Sequence, residues 1–190
     1  VKPDLDGLAA AANAAPKGQG AAPVHLWNPP FSGNLDIRIA RNGTWYYQES
    51  AITRPAMVRL FSSILRKDGD KFFLVTPAER VGITVDDAPF VAVDVDIESS
   101  GAGQILTFET QVGDRICASA ENPIRIEHST DRAEPAPYIL VRSNLEALID
   151  RKTFYRMIEM AEHAPFNGED WFGLHSCGHF FPIMRSDALR

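Results

Sequence analysis

The chain has 190 residues, 45% of them hydrophobic, and a formal net charge of −6. It can bury a core in one domain or two small ones, and its acidic balance speaks against nucleic acid, whose phosphates need a basic face. No apolar run approaches the roughly 20 residues of a membrane span, and the two cysteines, Cys117 and Cys177, are too few for a disulfide scaffold, so a reduced, cytoplasmic setting is expected.

Residues 1–23 form an Ala-rich tail. Lys2 and the run Leu8–Ala15 superficially resemble a signal peptide, but Asp4 and Asp6 lie where a signal would be positive. A short helix is expected, because alanine favours helix while burying little. Residues 16–23, with two prolines and two glycines, read as a flexible link. The body opens at Val24. Asp36–Ala40 alternates around Ile37 and Ile39 as a half-buried strand does, and Asn42-Gly43 predicts a hairpin turn into Trp45–Tyr47. A helix is predicted from Thr53, with Pro55 in its first turn, to about Lys67. Strands follow at Phe72–Val75 and Val81–Val85, so the first module reads ββαββ.

From Phe90 to Glu98 the pattern predicts a strand with Val91, Val93, Val95 and Ile97 on one face. Ala92, Asp94, Asp96 and Glu98 take the other. Ser99–Gly103 turns the chain, Ile105–Val112 returns it, and Gly113-Asp114 suits a tight hairpin. Arg115–Ser119 and Pro123–Glu127 read as short strands, and 129–137 as a surface loop. Tyr138–Arg142 is a strand and 151–162 a helix. Pro165–Asp170 reads as a turn, and Asp170–Leu174 with His179–Ile183 as a closing hairpin.

The two helical segments form an internal repeat at an offset of 97 residues. Glu49 matches Glu146, Ile52 matches Ile149, Arg54 matches Arg151 and Arg59 matches Arg156. Thr53 and Asp150, both able to cap a helix, also align. The stripe Met57, Leu60, Phe61, Ile64 falls on Phe154, Met157, Ile158, Ala161.

The repeated arginines are the first candidates for function. A cation at a helix start opposes the macrodipole, so Arg54 and Arg151 need an offsetting charge. One reading pairs each with the acid of its own copy, Glu49 or Glu146. The other gives them an anionic ligand, held together with helix N–H groups. His175-Ser176-Cys177-Gly178-His179 holds metal-ligand chemistry, and alternate residues of a strand share a face. Gly178 argues for a turn that breaks this alignment, and no fourth ligand is evident, so no metal is expected. Thr76-Pro77-Ala78-Glu79 reads as a turn. Glu79 could serve as an acid or base only beside a second group, which Asp86-Asp87 could supply. Trp27, before Pro29-Pro30, either stacks on a ligand or anchors the tail. Gly101-Ala102-Gly103 lacks the features of a dinucleotide fingerprint.

Over residues 24–183 the chain resembles a proteobacterial family known as domain of unknown function 1285. The resemblance rests on Trp27-Asn28-Pro29, Ile37–Ala40 with Gly43-Thr44-Trp45, Leu60-Phe61, Leu74–Glu79, Asp86–Phe90 and Pro137-Tyr138 through Arg151. It implies two small α/β and roll-like domains with a repeated motif, and a role in ligand sensing or signal transduction. It carries no catalytic residues over.

The expected fold is α+β, mostly antiparallel, with an N-terminal module at 24–88 and a β-rich C-terminal module at 89–190. One continuous curved sheet bearing both helices is the alternative. The expected function is a non-catalytic ligand-binding or signalling module without a cofactor, acting on a small molecule or a protein partner. The alternative is an enzyme acting on an anionic substrate through Glu79, Asp86 or Asp87 and the arginines. Thr76, Glu79, Asp86, Asp87 and Arg142 are the expected ligand-binding residues. Glu49, Arg54, Glu146 and Arg151 are the expected structural pairs.

Overall fold

A computed structural model describes residues 3–16, 20–100, 103–129 and 134–189. The fold is α+β. The chain divides into two compact units, Val1–Asp87 and Ala88–Arg190.

In the N-terminal unit the tail forms helix α1 (Leu5–Ala14), capped by the Asp4 carboxylate, which accepts from Gly7 N at 2.8 Å. Leu8 and Ala12 are buried, so this Ala-rich helix packs against the body, more than its composition suggests. The link residues 17–19 lie outside the described residues. A six-stranded sheet follows, from β1 (Phe31–Ile39), β2 (Trp45–Tyr47), β3 (Ser50–Ala51), β4 (Leu65–Asp68), β5 (Lys71–Val75) and β6 (Arg80–Val85). Its order is β3-β2-β1-β6-β5-β4, with β1 and β6 parallel and the other pairs antiparallel. Helix α2 (Pro55–Ser63) lies between β3 and β4 in sequence. It presents buried Phe61 to buried Trp45 of β2, rings stacked at 6.4 Å.

Helix α2 differs from expectation at both ends. Arg54, not Thr53, occupies the N-cap, and no side chain caps it. The helix stops at Ser63 rather than near Lys67. Ser62 and Ser63 donate back to the carbonyls of Arg59 and Leu60, a competition that weakens a helix end. Leu65 then pairs with Leu74 as a buried strand residue.

The C-terminal unit holds a six-stranded sheet and a three-stranded one. The first comprises β7 (Phe90–Ser100), β8 (Gly103–Thr110), β9 (Arg115–Cys117), β10 (Ile124–Glu127), β11 (Ala136–Arg142) and β12 (Leu145–Ile149). Its order is β10-β11-β12-β7-β8-β9, with β7 and β12 parallel. Helix α3 (Arg151–Ile158) follows, then the meander β13 (Glu162–Phe166), β14 (Glu169–Ser176) and β15 (His179–Arg185).

Three expectations differ from this structure. Ala92 does not face solvent: it is 0% exposed, because β7 is central in its sheet and a bulge between Ala92 and Asp94 resets the alternation. Helix α3 ends at Ile158, and Pro165 lies in strand β13 rather than a turn. β13 is an edge strand, where a missing N–H is tolerated.

The repeat is real in element order. In each unit a β-hairpin leads into a helix, which leads into a three-stranded meander. The sheets diverge. The first meander, β4–β6, joins its hairpin through the parallel β1·β6 pair, whereas the second forms its own sheet.

Candidate functional site

The duplicated arginines are used differently in the two copies. In the second copy the Asp150 side chain caps α3, accepting from Thr153 N at 2.8 Å. Arg151 forms an ion pair with Glu134, and its Nε donates to the Tyr155 hydroxyl at 3.0 Å. Arg156 pairs with Asp94 and donates to the Val95 carbonyl at 2.9 Å. The Val95 N–H and then this guanidinium hold the Asp94 carboxyl below the usual range.

Glu146 does not pair with Arg151. It receives both Nε and Nη2 of Arg125, at 3.0 and 2.9 Å. Arg125 on β10 lies over the Tyr138 ring of β11, 4.5 Å from its centroid, and reaches Glu146 on β12. The pleat aims Glu146 along this cross-strand row, so five residues of sequence separation do not bring it to the helix entry.

In the first copy the corresponding groups have no such partners among the described residues. Glu49 sits exposed in the β2–β3 turn with φ of 65°. Among the described residues neither Glu49 nor Arg54 makes an ion pair, so that expected pair is also absent. Arg59, the counterpart of Arg156, likewise has none among the described residues. Both arginines are exposed on α2, whose first turn carries no acid. Arg54 thus stands at the positive end of the helix dipole with no compensating acid among the described residues, and Arg59 lies more than one turn further along the helix.

These arginines border a groove of about 500 Å³ between α1 and α2. Ala9 and Ala12 of α1 face Met57 and Leu60 of α2 across it, with Ile64 at the helix end. Asn13, Arg54, Arg59 and Ser63 supply its polar groups. Its size falls within the range of small-molecule sites.

Of the candidates in the N-terminal unit, Thr76, Asp86 and Asp87 are held in structural contacts. Thr76 is fully buried, and its hydroxyl accepts from the N–H groups of Ala78 and Glu79, fastening the β5–β6 turn. Asp86 takes a bidentate contact from Arg38, with Nη2 at 2.5 Å and Nε at 2.9 Å. That bond holds its carboxyl below the usual range. Asp87 lies 3.1 Å from Arg41 Nε. The Glu79 carboxylate makes no ion pair among the described residues. In the C-terminal unit Arg142 lies over the Phe90 ring and 3.2 Å from Asp114. Burial pulls its guanidinium pKa down, against the pull of Asp114.

His175, Cys177 and His179 do not share a strand face. Cys177 and Gly178, with φ of 49° and 75°, form the two-residue turn between β14 and β15. His175 instead lies 3.2 Å from Glu162, and His179 pairs in register with Ser176. Among the described residues no three potential metal ligands gather. The turn does bring the Cys177 sulfur to 2.9 Å from that of Cys117, a contact that no spacing in the sequence announces.

Comparison with known proteins agrees with this architecture. Residues 22–88 match the N-terminal domain, and 89–183 the C-terminal domain, of the family described as domain of unknown function DUF1285. The fold is similar to a crystal structure of a DUF1285 family protein from Silicibacter pomeroyi DSS-3. That match has a TM-score of 0.85 and 58% identity, over 96% of this chain and 97% of the other. A second similar crystal structure is a DUF1285 family protein from Shewanella baltica OS155. It has a TM-score of 0.53 and 25% identity, over 66% of this chain and 91% of that one. Among curated proteins nothing matches. With both domains matched in order along nearly its whole body, the chain belongs to the DUF1285 family.

Proposed function

We propose that this protein is a non-catalytic binding module whose N-terminal unit takes a small amphipathic anion in the α1–α2 groove. The observation that carries this reading is the unequal use of the repeated arginines. Arg151 and Arg156 spend their charge on Glu134 and Asp94. Arg54 and Arg59 hold theirs at the rim of a groove with apolar walls. A carboxylate or phosphate head would meet the two guanidinium groups and the α2 N-terminus. An alkyl tail would cover Ala9, Ala12, Met57 and Leu60. The enzyme alternative finds no support in the acidic residues, since Asp86 and Asp87 face Arg38 and Arg41.

A thermal-shift series of straight-chain carboxylates tests the proposal. A ligand of the native state at about 100 times its Kd adds about 2.7 kcal/mol of apparent stability. The shift should grow with chain length and shrink in Arg54→Met and Arg59→Met. Arg151→Met is the control and should retain it. An equal shift from the matching alcohols would remove the anion from the proposal.

A further inference from the structure

We propose that Cys117 and Cys177 form a reversible disulfide that ties the β14–β15 hairpin to edge strand β9 of the six-stranded sheet. Both residues belong to the C-terminal unit, and their sulfurs stand 2.9 Å apart although 60 positions separate them in the chain. The approach is built rather than incidental. Buried Ser176 donates to the Ala118 carbonyl at 2.7 Å and accepts from Leu106 N at 3.0 Å. Cys177 N donates to the Gln104 carbonyl at 3.1 Å, and Gln104 Nε2 donates to the His175 carbonyl at 2.9 Å. Four hydrogen bonds therefore fix the residues next to both thiols.

The residue at the turn points the same way. The neighbouring β13–β14 hairpin uses Asn167-Gly168, with φ of 52° and 81°. Asn-Gly is the usual choice for a turn with two positive φ values. The β14–β15 turn adopts the same conformation with Cys177 in place of Asn. Turn geometry gives no reason for a cysteine there; the thiol opposite it does.

The chemistry is thiol–disulfide exchange with a low-molecular-weight disulfide such as oxidised glutathione. Exposed Cys177, as thiolate, attacks one glutathione sulfur, and the other leaves as thiolate. Cys117 then loses its proton and attacks the Cys177 sulfur, expelling the second glutathione thiolate. One protein S–S bond forms and one glutathione S–S bond breaks. Two electrons pass to glutathione, and the two cysteine protons end on the released thiols. Cys177 is exposed whereas Cys117 is half-buried, which makes Cys177 the entry point; burial and the Cys177 contact push the Cys117 thiol up to about 11.

The test is intact-mass analysis of the full chain, equilibrated with oxidised glutathione and quenched with acid. The expected product is a monomer two hydrogens lighter than the reduced protein, with a peptide containing Cys117 joined to one containing Cys177. Cys117→Ser should stop at a glutathione adduct on Cys177. Cys177→Asn, which suits the turn, should melt like the reduced wild type and form no loop. A wild-type protein that accumulates the Cys177 adduct without closing, or that cross-links into dimers, would overturn the proposal.

Discussion

Replacing Ser176 with Ala isolates the contact between the meander and the six-stranded sheet. The Ser176 side chain is fully buried and satisfies two backbone groups, Leu106 N–H and Ala118 C=O. Alanine fills nearly the same volume, so the cost lies in the polar groups left behind rather than in a cavity. Each buried group without a partner costs about 1–3 kcal/mol. Local relaxation recovers part of this, so the variant should lose about 2–4 kcal/mol. For a unit of this size each kcal/mol moves the midpoint by about 4–8 °C, giving a fall of roughly 10–25 °C. Urea denaturation of reduced protein, followed by circular dichroism, measures it directly. The control is Ser186→Ala, which removes an exposed contact to His163 and should change stability by less than about 0.5 kcal/mol. A Ser176→Ala variant as stable as this control would refute the reasoning, because the hydroxyl would then not be holding the sheets together.

Asp150→Ala should destabilise the protein by about 1 kcal/mol through loss of the α3 cap, while the aligned Thr53→Ala should leave chemical denaturation unchanged because Arg54 holds the N-cap of α2. Leu8→Ala empties a fully buried site under α1 and should cost about 2–5 kcal/mol locally, seen as faster hydrogen exchange in α1 and weaker carboxylate binding in the groove. The Cys117 thiol is raised from 9.0 to about 11 in the fold. The folded state therefore keeps a proton that the unfolded state loses, so the reduced protein should lose stability as pH rises from about 9 to about 11. Oxidation to the disulfide should abolish that slope in pH-dependent denaturation curves; an identical slope in both forms would assign it to other groups.

What was legible in the sequence follows from local physics. Strand alternation around Ile37 and Ile39, the turn at Gly113, and the repeated strand-helix-strand order all depend on neighbours a few residues apart, whereas the strands Leu65–Asp68, Leu145–Ile149 and Glu162–Phe166 that complete the hairpin and the two meanders were not legible. The resemblance to the DUF1285 family could be read from ordered motifs as well. Helix ends were harder. The 151–162 pattern does not show that the chain leaves the helix at Ile158 to start an edge strand. Charge partners were the least legible, because sheet register chooses them. Glu146 is 21 positions from Arg125 yet meets it across three adjacent strands, while Arg151, five residues away, finds Glu134. The same limit hid the cysteine contact. It also hid the groove, which exists only once α1 folds onto α2.

The binding claim rests on the difference between the two copies of the repeat, and one titration addresses it. Isothermal titration of decanoate into the full chain should show saturable binding at one site per chain. Arg54→Met/Arg59→Met should lower the affinity by about 10–100-fold, the value of one or two charge-assisted contacts. The matched double variant Arg151→Met/Arg156→Met should bind as wild type does once its fold is verified by circular dichroism. Absence of wild-type binding, or equal affinity in the Arg54→Met/Arg59→Met protein, would contradict the account.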